Sequence, residues 1–97
     1  MEMLELKDGS SVAEPTVRTT LMTLQVVRDA HPLALFEAVQ IARNPSHLPF
    51  GNLGSVLSGY GLLDTDGRMH DDTRHVVLSA AAGDGMDLAL TNPVKGQ

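Results

Sequence analysis

The sequence predicts an α+β domain, helical through its middle, with a small antiparallel sheet assembled from short extended pieces. Three observations predict it. The 97 residues suffice for one core and not for two. Apolar residues recur at helical spacing through the first half of the chain. Near both ends and after residue 61, short apolar segments adjoin Asp-Gly turns and read as extended. With 42% apolar and 20% charged residues the composition is globular, and a chain of this size buries roughly 60 to 70% of the surface it exposes when unfolded.

Residues 1–7 alternate in part, Leu4 and Leu6 against Glu5 and Lys7, and read as an edge strand. Asp8, Gly9, Ser10 and Ser11 supply turn chemistry, so 1–13 is a strand and linker. A first helix begins at Pro15, whose missing amide costs nothing in a first turn, and runs to about 29. Its buried stripe is Val17, Leu21, Leu24 and Val27. His31-Pro32 ends that helix and starts another over 32–43, because proline drives the preceding residue out of the helical basin. Leu35, Val39 and Ala42 form one row of it while Leu33, Phe36 and Ile41 broaden the apolar face, which predicts a central helix with Phe36 in the core.

A glycine-rich third helix is expected over 50–60, with Leu53, Val56, Leu57 and Tyr60 in register. Gly51, Gly54 and Gly59 each cost about 1 kcal/mol relative to alanine, so this helix depends on tertiary packing, and the glycines permit close approach to a neighbour. Gly61 supplies the left-handed cap. Residues 62–70 place an Asp-Gly turn between two extended pieces and predict a hairpin. Asp71 or Asp72 then caps a fourth helix over 73–82, with Val76, Val77 and Ala80 inward. Met86, Leu88 and Leu90 alternate as a last strand that pairs with Leu4 and Leu6 or with the hairpin, and 93–97 is a polar tail.

Charge and composition narrow the function classes. Twelve acidic against seven basic residues leave a formal charge of −5, which opposes loose attraction to nucleic acid or anionic lipid. The absence of cysteine excludes disulfides, thiolate metal sites and cysteine nucleophiles. The longest charge-free stretch, 44–63, is interrupted by four glycines and two prolines, so no membrane span is expected. Residues 1–9 carry Glu2, Glu5, Lys7 and Asp8 and lack the form of a secretory signal, which makes the cytoplasm the expected compartment.

Constellations that carry chemistry are sparse. Asp64-x-Asp66-Gly67 has part of a calcium loop but lacks the third ligand and the closing glutamate, and reads as a solvated turn. His70 and His75 are five apart and straddle a helix start, unlike the i, i+4 pair that places two imidazoles on one face. His75 reads as exposed, and His31 and His47 as loop residues that pack against or hydrogen-bond to backbone rather than ligate a metal. Ser55, Ser58 and Ser79 lie on helices rather than at a strand-to-helix elbow. No catalytic residues, no metal and no cofactor are expected.

The order of three helices, with the third leading through Gly61, Leu62 and Leu63 into an Asp-Gly hairpin, resembles the winged helix-turn-helix family over residues 15–70. In that family the third helix enters the DNA major groove and the wing touches the backbone, roles the resemblance places on 50–60 and 64–70. The fourth helix and last strand, 71–92, extend beyond a minimal winged helix. Direct readout uses Arg, Lys, Asn or Gln, and residues 50–60 offer Asn52, Ser55, Ser58 and Tyr60 with no cation. The leading expectation is therefore a non-catalytic interaction or regulatory module that binds a protein partner, or a second copy of itself, through Phe50, Asn52, Ser55, Tyr60 and Arg68, although the scarcity of large side chains favours core packing for Phe50 itself. The alternative is a winged-helix DNA-binding regulator using Arg18, Asn52, Ser55, Arg68 and Arg74.

Overall fold

A computed structural model describes residues 2–82 of the chain. It is α+β: β1 (Met3–Glu5), β2 (Ser11–Ala13), α1 (Glu14–Ala30), α2 (Pro32–Arg43), α3 (Leu53–Gly59) and α4 (Asp71–Ala82). The expected strand at 86–90 and the tail lie outside the described residues. β1 and β2 pair antiparallel, Leu4 opposite Val12, across the turn at 8–10. Ser11–Ala13, read as turn and linker from sequence, is thus the second strand. The Asp8 carboxylate accepts the Ser10 amide at 3.0 Å and folds the turn back so that three residues on each side can pair. β2 runs directly into α1, and the Glu14 amide at its start donates to the Glu2 carbonyl at 2.9 Å in place of a side-chain cap.

The stripe on α1 is buried as its spacing predicts: Val17, Leu21, Leu24 and Val27 all lie in the core. His31 is both the last cap of α1 and the first of α2. Its amide donates to the Val27 carbonyl at 2.7 Å, and its carbonyl accepts the Ala34 amide at 2.9 Å. α2 buries Ala34, Leu35, Ala38, Ile41 and Ala42. Phe36, expected in the core, is instead 60% exposed, and Leu33 is 71% exposed. The correction follows from helix geometry. The small row Ala34, Ala38 and Ala42 faces inward and lets α1 and α4 come close, which turns positions 33 and 36 outward.

α3 starts at Leu53 rather than at 50, because Gly51 adopts φ +57, a left-handed conformation that cannot continue into a helix. Its other end closes as expected. Gly61 has φ +83, its amide donates to the Ser58 carbonyl at 3.0 Å, and the Leu62 amide reaches the Leu57 carbonyl at 3.0 Å. Leu57 and Leu62 are both buried, which completes the Schellman closure with its apolar contact.

Residues 62–70 carry no strand, so the small sheet is the N-terminal pair and not this segment. The Asp64 carboxylate accepts the amides of Asp66 and Arg68, each at 2.9 Å, and the Asp64 amide donates to the Arg68 carbonyl at 2.8 Å. These bonds consume within the turn the groups a ladder would use. At α4 the expected carboxylate cap is also corrected. Asp71 and Asp72 lie inside the first turn, where they favour the helix dipole, and the His70 ring Nδ1 accepts the Asp72 amide at 3.3 Å.

α1 packs on α2 and α4, α2 packs on α4, and α3 rests on α2, while β2 leans against α1 and α4. Val12, Val17, Leu24, Val27, Leu57, Val76 and Val77 meet in the middle, all fully buried. Burial of each contributes about 1.5–3 kcal/mol, so a few such side chains decide whether the fold persists.

Candidate functional site

The 45–49 loop, the outer face of α3 and the 63–68 turn enclose an open cleft of about 790 Å3. One of its lining residues, the half-buried His47, is held by a pairing with the buried Glu37 that sequence reading missed. Glu37 on α2 is only 8% exposed, and its Oε1 lies 2.6 Å from Nε2 of His47, whose ring lines the cleft. A buried carboxylate is stable only with a partner, so this contact fastens the loop to α2. The signal was present: Glu37 is a lone carboxylate in the row that Ala34, Ala38 and Ile41 bury. His47 therefore bonds a side chain and not backbone. α3 comes close to the loop at Gly54, where an added Cβ would lie 3.3 Å from Pro49 Cγ. That is the approach expected of its glycines.

Two of the expected partner-binding residues, Ser55 and Arg68, line this cleft, facing each other from α3 and the turn. The others are elsewhere. Phe50, 80% exposed, and Asn52 sit on the turn that precedes α3. Tyr60 is half-buried on another side, edge-on to the His31 ring at 5.8 Å, and borders a groove of about 300 Å3 with Met22 and Val26 of α1. Of the cations in the alternative set, Arg68 and Arg74 line one cavity of about 330 Å3 together with Asp71. Arg74 is committed there, its Nε donating to the Ala42 carbonyl at 2.9 Å. Arg18 does not join them. It pairs with Glu14 at 2.6 Å along α1.

A second buttress lies on the sheet. Asp8 Oδ2 is 2.9 Å from Nδ1 of His75, which ties the turn between β1 and β2 to α4. His75 is thus half-buried and paired, where the sequence suggested simple exposure. Burial raises the Asp8 pKa, but the Ser10 hydroxyl and amide and then His75 outweigh it and bring the carboxyl from 3.8 down to about 2.

Among the described residues no serine hydroxyl bonds His47, so the cleft holds no nucleophile and base in contact. Among them, too, no three His, Asp or Glu side chains gather where one ion would reach them, and no helix is long and apolar enough to cross a membrane. Compared with protein-family models, with curated proteins and with solved structures, the chain matches none.

Proposed function

We propose that this protein is a non-catalytic interaction module that binds a protein partner, or another copy of itself, through exposed apolar side chains. The observation that carries the reading is the placement of its rings. The chain has two phenylalanines and one tyrosine, and both phenylalanines stand in solvent, Phe36 at 60% and Phe50 at 80% exposure. Each has an exposed leucine close by in sequence, Leu33 on α2 and Leu48 before Pro49. A chain so poor in large side chains gains stability from burying them, so leaving these four outside favours a surface that another polypeptide covers.

The test is a paired comparison of the wild-type chain with F36S/F50S. Sedimentation velocity reads self-association, and quantitative cross-linking in cells reads association with other proteins. The reading expects at least one of these to be lost in the double variant at unchanged thermal stability. Equal behaviour of both chains in both assays overturns it.

A DNA-binding winged-helix-like regulator is the second reading, favoured by Arg68 and Arg74 lining one cavity. Against it stand the charge of −5, an α3 without a cation and the capture of Arg18 by Glu14. Titration with duplex DNA at low and moderate salt separates the two. Micromolar binding with a clear salt slope, weakened by R68A, would establish the second reading in place of the first.

A further inference from the structure

We infer that the cleft between α3 and the 63–68 turn binds a short zwitterionic peptide, the size of a dipeptide, with an apolar side chain. This inference differs from the interaction reading in ligand and test: Leu48, Ser55 and Arg68 serve both, but Phe36, Phe50 and Tyr60 do not line the cleft. Its volume of about 790 Å3 falls within the range of small-molecule sites, roughly 300–1,000 Å3.

Charge selects the ligand. The cleft presents one cation, Arg68, and one anion, Asp66, from the same turn. Among the described residues neither side chain makes an ion pair or hydrogen bond, with each other or with any neighbour. Their only hydrogen bonds are made by backbone groups, to Asp64. The turn is thus fixed by its backbone while two opposite charges remain unpaired at the cleft. The guanidinium fork suits a carboxylate bidentately, and Asp66, which has only acceptors when ionised, suits an ammonium group. A simple anion satisfies one and repels the other. A zwitterion satisfies both.

The remaining lining favours a peptide over a free amino acid. The hydroxyls of Ser55 and Ser58 each donate and accept, as an internal amide requires. Leu48 and Leu63 supply an apolar wall for a side chain. The Glu37–His47 contact keeps the loop next to Leu48 against α2, and Leu63 is already packed in the core, while the 85% exposed Leu48 side chain is open to a ligand.

The experiment is an amide-resolved NMR titration of the full chain with alanyl-leucine, its N-acetyl derivative and its C-terminal amide, at constant ionic strength. The expected result is saturable movement of the Ser55, Ser58, Thr65 and Arg68 amides by the free dipeptide. Blocking either end should weaken binding about 10-fold. R68Q should no longer distinguish amide from acid, D66N should no longer distinguish acetylated from free amine, and R18Q should behave as wild type. R68Q and D66N change exposed side chains of residues whose only structural bonds are made by backbone, R18Q gives up only the surface pair with Glu14, and the spectra of all three report directly whether the fold is kept. The inference fails if the dipeptide gives no saturable change up to about 20 mM, or if blocked and free dipeptides bind alike. It also fails if R68Q and D66N still discriminate the blocked ends, or if R18Q loses as much affinity as they do.

Discussion

Replacing Asp8 by asparagine should make the stability of this protein less sensitive to acid, by an amount the structure sets. Asparagine keeps an oxygen for the Ser10 amide and removes the charge that faces His75 at 2.9 Å. The native carboxyl titrates at about 2 instead of 3.8, so its contribution is fully present above pH 3.8 and disappears as pH falls through about 2. That depression corresponds to at most about 2.5 kcal/mol. The Asp8 side chain is 27% exposed at the protein surface, and solvent screening reduces the expected value to about 1 kcal/mol. Urea unfolding of both chains between about pH 5 and about pH 2 reads the effect directly. At the upper end D8N should have a midpoint lower by about 0.5 M, and the gap should close at the lower end. A gap that persists unchanged in strong acid, or none at the upper end, would refute the view that the fold stabilises the Asp8 charge, first through Ser10 and then through His75.

Other outcomes follow from the same packing. Leu57 is the one buried residue of α3, so L57A should cost about 3 kcal/mol, and hydrogen exchange should show the α3 amides exposed before those of α1. F36S/F50S alters side chains that stand mostly in water, and its urea midpoint should correspond to a change within about 0.5 kcal/mol; a loss several times larger would place those rings inside. H47A strands the Glu37 carboxylate and should cost about 1–3 kcal/mol, whereas E37L/H47L should recover much of that loss, since a buried pair replaced by apolar groups is often neutral; thermal melts of the three chains decide it.

The parts of the fold legible in the sequence were those with a local cause. His31-Pro32 marked the junction of α1 and α2, and Gly61 marked the end of α3, because backbone conformation at those residues is restricted whatever surrounds them. The α1 stripe was legible because only one of its faces is rich in large apolar residues. α2 offers two apolar faces, and periodicity alone does not rank them. The alanine row won because its small side chains let α1 and α4 come close, a tertiary fact that sent Phe36 outward. β2 was hidden by its brevity, three residues of which only Val12 is buried. At 62–70 the Asp-Gly signal gave the turn correctly, but the Asp64 side chain spends on the turn what pairing strands would have shared. Ser55 and Arg68, singled out in the sequence, line one cleft, but the cleft itself was not legible, since its loop is tied to α2 by a contact between Glu37 and His47 ten positions apart.

The single-residue joint at His31 has a consequence for how this chain can change length. One peptide both finishes α1 and opens α2, so there is no slack to absorb an added residue. An insertion there would rotate the downstream cylinder by about 100° about its own axis. The alanine row would turn away from α1 and yield its place to bulkier side chains. The exposed stretches at 44–46 and 64–67 are closed by local hydrogen bonds, but no single residue there caps two helices at once. Natural or engineered variation in length should therefore collect in those two segments and spare the junction between the first two helices.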